Sequence, residues 1–115
     1  MKVRIEENNI IYKISQAELN SLLAGQDLQV KLKLLDKSFI AAIKVQSSDN
    51  FMQPELVLGE DEVNLNLLIS QEKVQELLDL GRNKAGLSFN VDELNISLQV
   101  DLRSDNRQPL RKIDK

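Results

Sequence analysis

Apolar and polar residues alternate along most of this chain, and helical spacing interrupts the alternation twice. Val3 and Ile5 alternate with Lys2, Arg4 and Glu6, Glu7-Asn8-Asn9 supplies turn residues, and Ile10, Tyr12 and Ile14 resume the period of two. Successive side chains of a strand point to opposite faces, so this pattern predicts a hairpin with one apolar side. At Ser15 the period changes. Leu19, Leu22 and Leu23 share one face of a helix, and Glu18 stands three residues after Ser15. That spacing predicts a capping box: the serine oxygen accepts from the Glu18 amide while the Glu18 carboxylate accepts from the Ser15 amide. Gly25 can take the left-handed conformation that ends a helix. Leu28 to Leu34 and Phe39 to Val45 then alternate on either side of Asp36-Lys37-Ser38, which predicts a second hairpin.

The same order recurs. Leu56-Val57-Leu58 leads through Gly59-Glu60-Asp61 to Val63, Leu65, Leu67 and Ile69. Ser70 opens a helix carrying Val74, Leu77 and Leu78 that ends near Gly81. Arg82 to Gly86 connect to Leu87, Phe89 and Val91, and Leu94 to Leu102 alternate again. Ile14-Ser15-Gln16 returns as Ile69-Ser70-Gln71, 55 residues later. The same offset carries Leu19, Leu22 and Leu23 onto Val74, Leu77 and Leu78, and Phe39, Ala41, Ile43 and Val45 onto Leu94, Ile96, Leu98 and Val100. The expected fold is therefore α+β, with about eight mostly antiparallel strands and two short helices. It is a pseudo-twofold duplication of a ββαββ unit, forming a curved sheet or a barrel-like closure that removes sheet edges. A single domain is expected, with quasi-repeats 1–45 and 56–102, a polar link 46–55 and a mobile basic tail 103–115. In the second copy Lys73 replaces the glutamate of the capping box. On that ground Ser15→Ala should cost at least as much stability as Ser70→Ala.

Composition narrows the chemistry. A chain of 115 residues removes roughly 65% of its unfolded surface from water and needs no disulfide or metal staple. It has no cysteine and no histidine, so thiol catalysis, thiolate metal sites, serine-histidine triads and most zinc chemistry are excluded. The four glycines have turn or cap roles and form no phosphate loop. No cofactor or resident metal is expected. No apolar run has the length of a signal peptide or a membrane span, so the expectation is a cytoplasmic protein with no membrane partner. Residues 1–102 carry net charge -6 and residues 103–115 net +3. With one tyrosine and no tryptophan, such a body suits nucleic acid neither electrostatically nor as a stacking platform.

Two clusters remain as candidate sites, neither with an assignable catalytic residue. Glu60 and Glu62 alternate toward one face with Asn64, similar to the Glu-x-Glu-x-Lys strand of triphosphate-tunnel enzymes, although asparagine stands in the lysine position. Arg4, Lys31 and Lys33 are cations on polar strand faces and would contact an anionic ligand in such a barrel. Lysines on a polar face also simply keep it solvated, and acids in a turn do the same. Phe39 and Phe89 are read as core. Phe51-Met52, an apolar pair in the polar link, is either tucked under the domain or offered to a partner. The basic tail is either solvated or docked on Glu60-Asp61-Glu62, within one chain or across a twofold homodimer.

Lys2-Val3-Arg4-Ile5, Asn8-Asn9-Ile10 and Ile14-Ser15-Gln16-Ala17-Glu18-Leu19 together resemble the opening of a small bacterial family of uncharacterised domains of unknown function. Those domains start with a basic-apolar-Arg-Ile strand, a turn and a Ser/Thr-Gln-x-Glu helix start. The chain departs at Ile11, where the family has arginine, and at Gln99-Val100-Asp101-Leu102, where the family closes on Glu-Lys-Asp-Phe near a cysteine. The resemblance implies the fold and a bacterial origin, and it brings no activity. The residues favour a non-catalytic binding or assembly module. The alternative is a phosphate-ligand-binding or metal-dependent phosphohydrolase barrel using Glu60 and Glu62.

Overall fold

The computed structural model describes residues 1–47, 50–80 and 86–101. Ten elements follow one another: β1 (Lys2–Glu6), β2 (Asn9–Ile14), α1 (Gln16–Leu23), β3 (Leu28–Leu34), β4 (Lys37–Gln46), β5 (Met52–Leu58), β6 (Glu62–Ser70), α2 (Gln71–Leu80), β7 (Leu87–Val91) and β8 (Leu94–Val100). The class is α+β with eight strands and two helices. β5 begins at Met52, inside the segment read from sequence as a link. The basic tail 103–115 and the 81–85 connector, with the Gly81 expected to end the second helix, lie outside the described residues, as do Ser48, Asp49 and Leu102.

The strands form two four-stranded sheets, ordered β1-β2-β8-β7 (sheet A) and β3-β4-β6-β5 (sheet B). Each hairpin is antiparallel, and the two central pairs, β2 with β8 and β4 with β6, are parallel. This corrects the expected barrel-like closure. Each helix stands between two hairpins and delivers the second hairpin to a different sheet from the first, so eight strands split into two groups. Among the described residues all four outer strands are edges.

One apolar core joins both sheets and both helices. Sheet A supplies Ile10, Tyr12, Ile14, Ile96, Leu98 and Val100, sheet B supplies Ile43, Leu67 and Ile69, and the helices supply Leu19, Leu22, Val74 and Leu77. Of the Phe51-Met52 pair, Met52 packs against this cluster, while Phe51 is half-buried outside it. Tyr12 is almost fully buried, and desolvation pushes its phenol up to about 12.

The helix ends are built as their residues dictate. Ser15 Oγ accepts from Glu18 N at 3.1 Å and Glu18 Oε1 accepts from Ser15 N at 2.9 Å, a complete capping box. Burial raises the Glu18 carboxyl, but hydrogen bonds and charge from the Met1 ammonium and the Ser15 donors outweigh it, so the group sits below its ordinary range. At the other end of α1, Gly25 (φ +86°) lets Gly25 N reach Leu22 O and Gln26 N reach Ser21 O, both at 2.9 Å, a Schellman closure. Gln71 Nε2 also donates to Leu22 O at 3.4 Å, tying the start of α2 to the end of α1.

Ser70 does more than its incomplete box implied. It is fully buried, and its Oγ accepts from Lys73 N at 3.2 Å and from Phe51 N at 3.1 Å, while Ser70 N donates to Phe51 O at 3.0 Å. One hydroxyl therefore caps α2 and anchors the chain entering β5. This reverses the order expected from sequence. Ser15→Ala should cost about 1 kcal/mol. Ser70→Ala strands two amides, one of them outside the helix, and should cost roughly 2 to 3 kcal/mol. Urea unfolding of the two variants side by side decides it, and equal midpoints contradict the assignment. Tyr12 gives a second outcome. Its folded pKa of about 12 lies above the ordinary 10.0, so the unfolded chain ionises first and stability falls as pH rises above 10. The slope approaches about 1.4 kcal/mol per pH unit until the folded phenol titrates near 12. Tyr12→Phe should remove that component from alkaline unfolding curves.

Candidate functional site

Strand parity decides what each face of sheet B can do. Val30 pairs with Ala41, Ala41 with Leu65 and Leu65 with Leu56. One register step further out, Leu32, Phe39, Val63 and Leu58 form a second row across all four strands. Both rows lie on the face whose other positions, Ile43, Leu67 and Ile69, are core. The core and the two helices end before the outer row. Phe39 and Val63 are only half-buried and do not belong to the core cluster, while Leu32 and Leu58 are 62% and 71% exposed. This corrects the reading of Phe39 as core, whereas Phe89 does pack against the core. Val30, Leu34 and Leu56 are exposed on the same face. The five exposed side chains present on the order of 500 Å² of contiguous apolar surface, within the range of the largest patch on a monomeric protein.

The patch is cross-linked at its open end. Lys37 Nζ donates to Asp61 Oδ1 at 3.0 Å and to the Glu60 carbonyl at 3.2 Å, and Ser38 N donates to Asp61 O at 2.9 Å. These bonds pin the β3–β4 turn to the β5–β6 turn, and Lys37 and Asp61 pair at the end of the apolar rows. Leu35, at the tip of the β3–β4 hairpin, is 87% exposed with φ +58°. A leucine in that conformation is strained, and its exposure brings no compensating burial within the chain.

The residues singled out from sequence fall elsewhere. Arg4 is on the edge strand of sheet A, its Nε 3.1 Å from Glu6 Oε2. Lys31 and Lys33 are on the outward face of β3, and Lys33 shares a row with Ser38 and Glu62. Glu62 accepts from Asn64 Nδ2 at 3.2 Å, and Glu60 is in the β5–β6 turn. Sheet B thus brings Lys31, Lys33 and Glu62 onto one open surface and leaves Arg4 on a different sheet. All five side chains are exposed. Among the described residues no group of three Asp or Glu side chains is placed to hold a metal ion.

On this outward face Asn66 is buried between β4 and β5. Its Nδ2 donates to Glu55 Oε1 at 2.9 Å, and its Oδ1 has no partner among the described residues.

A family model matches residues 1–108. The chain belongs to DUF7009, a family of unknown function. No curated protein and no solved structure matches it. Membership in DUF7009 therefore brings no chemistry to the site. Among the described residues no helix is long and apolar enough to cross a membrane.

The apolar overhang could have been found from element lengths. Ten strand residues span about 33 Å, whereas helices of eight and ten residues are only about 12 and 15 Å long, so sheet B must outrun its cover. The strain at Leu35 supplies a direct check on the hairpin tip. Leu35→Gly should stabilise the isolated chain by about 0.5 to 1 kcal/mol, because glycine takes a left-handed conformation without the Cβ clash. A lower unfolding midpoint for this variant would show that the leucine is packed rather than presented.

Proposed function

We propose that this chain is a non-catalytic binding or assembly module whose working surface is the uncovered apolar end of sheet B. The observation that carries the reading is the Leu32, Phe39, Val63 and Leu58 row: four apolar side chains, in register across four strands, beyond the reach of both helices. An overhang kept only for solubility would alternate polar with polar. Here the outward face of the same strands carries Gln29, Lys31, Lys33, Glu62 and Asn64 beside Ile40 and Val57, while the inward face stays apolar as far as Lys37. Such two-faced patterning without a cover is what a docking surface requires.

The same reading includes an origin by internal duplication. Asn9 pairs with Asn95 across β2 and β8, and Ile40 with Asn64 across β4 and β6. Moving each member by 55 residues carries the first pair onto the second, and the same holds for Ile14 with Val100 and Val45 with Ile69. An experimental structure placing Ser15 and Ser70 at non-equivalent helix positions would refute duplication. A chain without cysteine suits a reducing cytoplasm, and cytoplasmic residence belongs to the proposal.

Phosphate chemistry is the competing activity, and it is tested directly. Titrating the protein with tripolyphosphate in the presence of manganese should give no heat beyond dilution and no phosphate release. Saturable binding that Glu60→Gln or Glu62→Gln abolishes would overturn the non-catalytic reading.

A further inference from the structure

We infer that the occupant of the apolar overhang of sheet B is a second copy of this chain, the two faces packing on each other in a closed, twofold dimer. The inference rests on the binding reading above and adds the identity of the partner. Three observations lead to a copy rather than to a different molecule.

The first is area. The exposed side chains contribute on the order of 500 Å² from each chain, so two copies bury about 1,000 Å² before Phe39 and Val63 are counted, the lower bound for a specific interface.

The second is the chemistry of the face. Its rows hold leucine, valine and phenylalanine, and the one lysine at their end, Lys37, is already paired with Asp61 at 3.0 Å. Apart from this exposed Lys37–Asp61 pair, the rows carry no charged side chain among the described residues, so shape and apolar area do most of the selecting. A surface of the same width and the same apolar character meets it fully, and two sheets pack face to face about 10 Å apart through such rows. In an isologous contact the same patch serves both subunits, so complementarity is required only once.

The third is order. The pinned turns described above fix the four strands of the overhang in the single chain, so association need not first fold the surface. Binding a preformed face avoids the ordering cost that would otherwise exceed what a small interface returns.

Sedimentation equilibrium of the full chain, from low micromolar to several hundred micromolar, tests this. The expected result is a monomer-dimer equilibrium in the micromolar range. Leu58→Glu and Leu32→Glu, made separately, should each weaken dimerisation more than a hundredfold, since each places two carboxylates in the interface. Both positions are largely exposed in the monomer, so both variants should keep the parent's far-ultraviolet circular dichroism, and the two independent substitutions guard against one misfolding. Ile5→Glu, at an exposed apolar position of sheet A, should leave the dimer unchanged. A parent that is monomeric at every concentration overturns the second copy and leaves the binding reading standing, because that reading falls only to the tripolyphosphate titration. A dimer that survives both glutamates, or one that Ile5→Glu disrupts equally, also overturns the assignment, since the contact then lies elsewhere.

Discussion

Two parallel strand pairs hold the molecule together. Every hairpin in this fold is local and needs only a turn, but β2 with β8 and β4 with β6 cannot form by a turn, because parallel neighbours require a crossover. Residues 9–14 must wait for residues 95–100. Each sheet therefore takes one hairpin from each half of the chain, and neither half buries its apolar faces alone. Such non-local closure is paid in loop entropy and slows folding. The approach at the last junction is close. Gly86 (φ +64°) enters β7 so near β8 that a Cβ there would lie 2.1 Å from the Leu98 carbonyl oxygen. At that point only glycine lets β7 start where its pairing with β8 requires.

The helices are consequences of the same constraint. Each turns the chain from one sheet to the other within a short connection, and they are eight and ten residues long. They touch through Gln71 and the Leu22 carbonyl and bury Leu19, Leu22, Val74 and Leu77. Sheet A, with strands of five to seven residues, leaves Ile5 and Val91 exposed on its apolar face. Sheet B, with strands of seven to ten, leaves more. The exposed apolar face is thus the difference between two lengths, fixed by hairpins β3–β4 and β5–β6.

Much of this was legible in the residues. Alternation located all eight strands and both helices, the Ser15 box was complete as its spacing required, and Gly25 closed α1. What failed was global. Period-two alternation states that a strand has one apolar side, but it does not state which strand lies next to which, so eight amphipathic strands read equally as a barrel or as two sheets. Met52 and Pro54 were lost to the polar link because the alternation there is broken by Pro54, which is at home in an edge strand. Phe39 was read as core because parity gives its face and not its distance from the helices. Ser70 was undervalued because its second partner, the Phe51 amide, is distant in sequence and invisible to a local capping rule. The candidate cluster of Arg4, Lys31, Lys33, Glu60 and Glu62 assumed one enclosing sheet, and two sheets separate Arg4 from the rest.

The treatment of the edges bears on the proposed contact through the face of sheet B. An open edge strand invites pairing with any other chain and leads to fibres, because nothing closes the arrangement. Here the edges carry the usual deterrents. β3 alternates Lys31 and Lys33 with its leucines, β5 has Pro54 without an amide to offer, and β1 presents Lys2 and Arg4. The same strands that are charged along their edges are apolar on their inward face at Leu32 and Leu58. A chain selected against contact of every kind would have placed polar residues at both. Deterred edges beside an open apolar face fit the closed twofold contact proposed above better than open-ended strand pairing.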